Sequence, residues 1–185
     1  VKAKPNSELH QRKFHEGKIV FDAHYHINNL GLRFSGADGV SREAKPAVLF
    51  FGDSFTFGLG VNDEETFAAQ LEKIRPDFVS FNFGFNGYGA HHALRILESN
   101  RDVEALKGVT PKYAVYFARG EHIDWAAGKS PVAETAPKYE LERSGELRSD
   151  GLFTNLYWIK LKRRLLRSAT LKEIFKLREK KTFVS

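Results

Sequence analysis

The sequence predicts an α/β fold built around a parallel sheet, and two observations carry that expectation. Three short apolar runs of strand length, at 47–51, 77–82 and 113–118, are separated by stretches whose apolar residues repeat at helical spacing. Strands that alternate with helices and cross over right-handed lie parallel. Each run also leads into glycine-containing sequence, first Gly52, then Gly84, Gly87 and Gly89, then Gly120. The carboxyl edge of such a sheet is where ligands bind.

Taken in order, residues 1–17 are polar without a clear period and read as a loosely held lead-in. From 18 to 27 the chain alternates, with Ile19, Phe21, Ala23, Tyr25 and Ile27 on one face and Asp22, His24 and His26 largely on the other. That pattern is a half-exposed strand. His24 and His26 beside Asp22 have metal-ligand character, but a solvated strand face gives the same alternation with no chemistry, and no metal site is assigned. Residues 35–46 are rich in turn formers and make a surface connection.

The run 47–51 is too short for a helix and fits a strand buried on both faces. Gly52 gives it a sharp exit, which places Ser54 just past the strand end, where a hydroxyl is a candidate nucleophile. Asn62 then caps a helix with Glu65 in the reciprocal position, and Phe67, Leu71 and Ile74 form its sheet-facing stripe until Arg75 and Pro76 stop it. After the strand at 77–82, glycines 84, 87 and 89 make a loop whose backbone can approach a substrate closely. The demands of the turn alone account better for Gly84 and Gly89 than for Gly87.

His91 and His92 open the next helix, which carries Leu94 and Leu97. Adjacent residues do not share a helix face, so the two histidines are read as surface positions near the site mouth. The third buried strand, 113–118, ends in Arg119, Gly120, Glu121 and His122 at the same edge. Residues 128–150, with Pro131, Pro137 and a mixed-charge run, read as a surface excursion. The tail is expected to hold two helices, one from about Phe153 and one from Leu171, capped by Thr170 with Glu173 in the box position.

Composition narrows the function. At 185 residues and 42% hydrophobic, the chain has single-domain size, and its 16 phenylalanines predict an aromatic-rich core. The absence of cysteine excludes disulfides and cysteine-based zinc sites. The net charge of +6 is concentrated in residues 151–185, which hold ten Lys or Arg against two Glu, leaving −2 for residues 1–150. The basicity therefore belongs to the tail and not to the site, and no nucleic-acid partner is inferred. Either contact with an anionic membrane or polysaccharide surface or a solvated helix face explains the tail. No compartment is readable, and a cell-envelope or secreted setting is compatible with the chain.

The segment GDSFTFG at 52–58 after an apolar strand, followed by NFGFNGYG at 82–89, resembles the SGNH (GDSL-type) hydrolases, and the resemblance covers residues 19–124. NNLGLR at 28–33 resembles a segment that precedes the serine block in some bacterial members; it supports recognition and carries no mechanistic role. The resemblance implies a flavodoxin-like three-layer α/β sandwich, the SGNH hydrolase fold, as one domain over residues 1–185. It implies ester hydrolysis through an acyl-enzyme on Ser54, with the N–H groups of Ser54 and Gly87 holding the oxyanion and no cofactor. The substrate would be a small ester, a lipid or an acylated glycan. Two features depart from the family. Gly120 stands where the family has an oxyanion asparagine, which makes His122 the candidate substitute donor if its ring turns inward, although a rim position is expected. No histidine follows His122, whereas the family has an Asp-x-x-His block, so sheet and catalytic base are expected to be incomplete at the C-terminus. A polysaccharide O-acetyltransferase and a non-catalytic glycan- or anion-binding module are the alternatives.

Overall fold

The computed structural model describes residues 3–35, 45–99, 106, 108–130 and 134–155. The contacts divide the chain into two compact units, Val1–Ala127 and Gly128–Ser185.

The first unit is α/β, as the sequence predicts. Its centre is a parallel sheet of β3 (Pro46–Phe51), β4 (Val79–Asn82) and β5 (Thr110–Tyr116) in the order β4-β3-β5. The ladder sets Leu49 opposite Phe81 and Ala114, so alternate residues share a face. On one face Ala47, Leu49, Phe51, Val79, Phe81 and Phe83 form the main core, closed by Ala93 and Ile96 of α3 (Ala90–Glu98). Phe51 and Phe83 stack there at 5.2 Å. Fully burying one such ring contributes about 2–3 kcal/mol, and the phenylalanine-rich composition is used here.

On the other face an apolar groove runs between Phe50 and Val115 of the sheet and Phe67, Leu71 and Ile74 of α2 (Phe67–Ile74). The expected stripe of α2 is not its buried side. Ala68 and Ala69 are buried, whereas Phe67 and Ile74 remain more than half exposed. Small residues let the helix approach the sheet closely, and the large ones fall at the groove's margin. The Asn62–Glu65 cap is also displaced from its expected helix. Glu65 accepts from Asn62 N–H at 2.7 Å around a 3-10 turn (Asp63–Glu65), while Thr66 caps α2 proper through Ala69 N–H at 3.3 Å. The strand expected to be third and buried, β5, is largely exposed, with Tyr113 at 53% and Val115 at 43%, because among the described residues it pairs only with β3.

The supposed lead-in is a strand. β1 (Ser7–His15) pairs antiparallel with β2 (Lys18–Ile27) through a two-residue turn in which Glu16 and Gly17 have φ of 49° and 75°. That primed geometry matches the twist of the flanking strands. β1 escaped notice because it is exposed along most of its length and so carries no hydrophobic alternation. The inner half of β2 buries Ala23, Tyr25 and Ile27 against Phe57, while Ile19 at its outer end is 55% exposed. Arg33 joins the two sheets, its backbone bridging Ile27 on one side and Asn82 on the other.

In the second unit the expected surface excursion is a hairpin, β6 (Pro137–Leu141) and β7 (Leu147–Leu152). Its mixed charges pair across the strands, Lys138 with Asp150 at 2.5 Å and Arg148 with Glu142 at 2.8 Å. Ala136 and Phe153 form its small core. Phe153–Asn155 is a 3-10 turn, and the helices expected beyond it lie outside the described residues.

Candidate active site

The exits of the three parallel strands converge on one turn. β3 leaves through Gly52, with φ of 154°, where an added Cβ would lie 2.2 Å from Thr56 Oγ1. Only glycine fits. The chain then enters the one-turn helix α1 (Ser54–Phe57), whose first residue is Ser54. Asp53 shapes the entry, its Oδ1 accepting from Phe55 N–H at 2.9 Å and its backbone carbonyl from Phe57 N–H at 2.9 Å. Ser54 is half-buried, and among the described residues its hydroxyl has no hydrogen-bond partner.

The exit of β4 lies directly against this turn. Phe85 N–H donates to Gly52 O at 3.2 Å, and the Asn82 amide donates to Thr56 O at 2.8 Å while its oxygen accepts from Gly84 N–H at 3.0 Å. A Cβ on Gly84 would sit 2.6 Å from the backbone nitrogen of Phe57, so the close approach of two main chains demands a glycine there. Gly87 follows in a turn with φ of 81°. Among the described residues the N–H groups of Ser54 and Gly87 have no protein acceptor.

The exit of β5 reaches the same turn through Asp53, which is fully buried. Arg119 Nη1 donates to Asp53 Oδ2 at 3.0 Å, and the same oxygen lies 3.2 Å from His122 Nε2. His122 is 4% exposed, so the rim position expected for it is corrected. It faces inward from α4 (Glu121–Ala126) and contacts Tyr116 Oη through Nδ1 at 2.5 Å. A neutral ring protonated on Nε2 satisfies both contacts, donating to Asp53 and accepting from Tyr116. Both ring nitrogens are thus engaged away from Ser54. Arg119 is fixed further by Glu121 at 2.6 Å and by stacking over Phe55 at 4.6 Å. At Gly120 the backbone is helical, with φ of −56°, and nothing lies within 4 Å of an added Cβ.

Sequence reasoning missed four residues here. Asp53 was seen only as part of a motif, yet it ties the β3 and β5 exits together. His91, expected at the surface, is 5% exposed with neither ring nitrogen partnered, and burial lowers its pKa to about 4. His92 accepts from Gly89 N–H at 3.2 Å and stacks on Tyr88 at 4.2 Å, and burial lowers its pKa to about 3. Arg33, set aside as a recognition residue, has a wholly buried side chain. It bonds Asp63 at 2.6 Å and donates to the carbonyls of Val61 at 2.9 Å, Gly58 at 3.2 Å, His24 at 3.3 Å and Phe57 at 3.4 Å. Its guanidinium also lies over Tyr25 at 4.3 Å and Phe57 at 5.0 Å. The loop that follows the serine helix is folded around this one cation. Only a buried arginine in a polar-looking segment signalled it, and burial is not visible in a sequence.

Comparison with known proteins finds no matching family model and no matching curated protein. Among solved structures the chain is similar to AlinE4, an SGNH-hydrolase family esterase, at 25% identity over 47% of this chain and 46% of that one, with a TM-score of 0.36. It is similar also to a mutant form of esterase AlinE4, at 23% identity over the same shares, with a TM-score of 0.35. The chain spans a little under half the length of these structures, and these structural neighbours are SGNH-hydrolase family esterases.

Proposed function

We propose that the first unit is the nucleophile-bearing part of an SGNH-type serine ester hydrolase. One observation carries this reading: among the described residues the Ser54 hydroxyl at the exit of β3 has no partner, and the glycine loop after β4 is fastened to the same turn with no acceptor for the Gly87 N–H. In the proposed reaction Ser54 Oγ attacks the ester carbonyl, and the N–H groups of Ser54 and Gly87 donate to the developing oxyanion. The alcohol leaves with a proton, and water then releases the acid from the acyl-serine. Asp53 does not take the serine proton in this scheme, because its oxygens are occupied by Phe55 N–H, Arg119 and His122. Its role is to hold the nucleophile turn rigid.

A fluorophosphonate probe tests the assignment. Labelling of Ser54, lost in Ser54→Ala with the fold unchanged by circular dichroism, supports it; labelling at another residue overturns it. Acetyl release measured with and without acceptor glycan separates hydrolysis from acyl transfer. Glycan or anion binding that persists in Ser54→Ala, with no labelling of the wild type, identifies a non-catalytic module.

A further inference from the structure

We propose that the β1–β2 hairpin carries a surface site for a divalent late transition metal of the zinc, nickel or copper(II) class, with His10, His24 and Asp22 as its protein ligands. The sequence pairs His24 with His26, but the ladder replaces that pair. His10 lies directly opposite His24, and Asp22, two residues before His24 on the same face, lies diagonally from His10. The two imidazoles stack at 4.1 Å with their planes 7° apart. One ligand atom from each of the three residues lies within 4.8 Å of the others. His26 is drawn away, bonded by Asp63 through Nδ1 and 3.4 Å from Glu8 through Nε2.

The donor set selects the metal. Two imidazole nitrogens and one carboxylate oxygen suit zinc, nickel and copper(II), whereas calcium and magnesium seek shells of oxygen. Asp22 is oriented for the task, because Arg12 holds its Oδ2 through Nε at 2.8 Å and Nη2 at 2.6 Å, leaving Oδ1 turned toward His10 Nε2. This is the outer bonding that fixes a metal-binding carboxylate. A metal takes the place of the His10–Asp22 hydrogen bond, two imidazole nitrogens and one carboxylate oxygen bonding it while the neutral His10 ring carries its proton on the other nitrogen. Half-exposed ligands leave the remaining positions to water. The proposal does not depend on the proposed hydrolase reading.

Isothermal titration of tag-free protein with zinc chloride and nickel chloride, and copper(II) electron paramagnetic resonance, test the proposal. One metal per chain is expected, with nitrogen hyperfine coupling from two imidazoles. His24→Ala or His10→Ala weakens binding at least about tenfold, and Arg12→Ala weakens it by a smaller factor within roughly the same range. His26→Ala and His15→Ala keep the wild-type affinity, and circular dichroism confirms that each variant is folded. Absence of binding by the folded wild type, or binding unchanged in the His10→Ala/His24→Ala double variant, overturns the proposal.

Discussion

Arg33 and Asp63, thirty residues apart in sequence, meet at 2.6 Å with no part of the arginine side chain exposed. Asp63 also accepts from His26 N–H at 3.2 Å, so one carboxylate ties the hairpin to the loop behind the serine turn. Removing one partner of a buried pair costs about 3–5 kcal/mol, and here it leaves four carbonyls without the arginine donor while Asp63 keeps the His26 ring beside it. Arg33→Met is therefore expected to lower unfolding free energy by that amount in urea titration. Arg33→Lys is expected to recover little, since an ammonium cannot span the carbonyls that the planar fork reaches. A loss below about 1 kcal/mol in Arg33→Met would show that the loop holds itself.

Glycines at the site divide into two kinds. Gly84→Ala drives a Cβ into the backbone of residues 56 and 57, and the variant is expected to be strongly destabilised or unfolded. Gly120→Asn meets open space at a helical φ and is expected to fold like the parent. If the proposed reaction is right, an amide there restores a donor of the kind whose loss costs about a hundredfold to a thousandfold, so ester turnover should rise at least about tenfold. Stopped assays on a p-nitrophenyl ester, with melting temperatures alongside, give both answers.

Asp53 couples His122 to Arg119, and their effects should not add. Replacing His122 by Phe removes a buried donor to Asp53 and the acceptor of the Tyr116 hydroxyl, for a loss on the order of 1–3 kcal/mol. Arg119→Met is partly exposed and should cost less. The double variant should depart from the sum by at least about 0.5 kcal/mol, because both side chains serve the same carboxylate oxygen. Strict additivity in a double-mutant cycle would contradict the shared-carboxylate arrangement.

Acid should weaken the first unit before its carboxylates titrate. His91, held neutral with a pKa of about 4 against an ordinary 6.5, binds fewer protons folded than unfolded between those values. Stability therefore falls as pH drops through that window, by about 3 kcal/mol at most for this group. His26 acts with the opposite sign. Its hydrogen bond to Asp63 raises its pKa, so its contribution is present below 6.5 and lost as pH rises through the raised value. Urea midpoints at pH 7, 5.5 and 4.5 should decline in the wild type and decline less in His91→Phe.

The parallel sheet and the serine turn were legible because their signals are local. An apolar run of strand length and a glycine at its exit define β3 and place Ser54 whatever surrounds them. What stayed hidden depends on partners distant in sequence. His10 acquires meaning only from the register that sets it against His24, and Arg33 only from carbonyls contributed by residues 24 and 57–61. Periodicity also misjudged faces: α2 turns its alanines inward, and β5 is apolar yet exposed, because burial is decided by what packs above a residue.

Among the described residues the backbone seam between the two sheets is one residue wide, with Arg33 bridging Ile27 on one side and Asn82 on the other. A ladder that narrow offers little resistance to shear, and by itself it would be a fold line along which the hairpin could swing. The Arg33 side chain acts as a rivet through that line, gripping the His24 carbonyl of the hairpin on one side and Asp63 and the carbonyls of Phe57, Gly58 and Val61 on the other. Mechanical load applied to the hairpin thus passes to the loop behind the nucleophile turn largely through side chains, Arg33 together with Tyr25, Asn62 and Asp63, and the residue that grips most of that loop lies in neither of the strands being pulled.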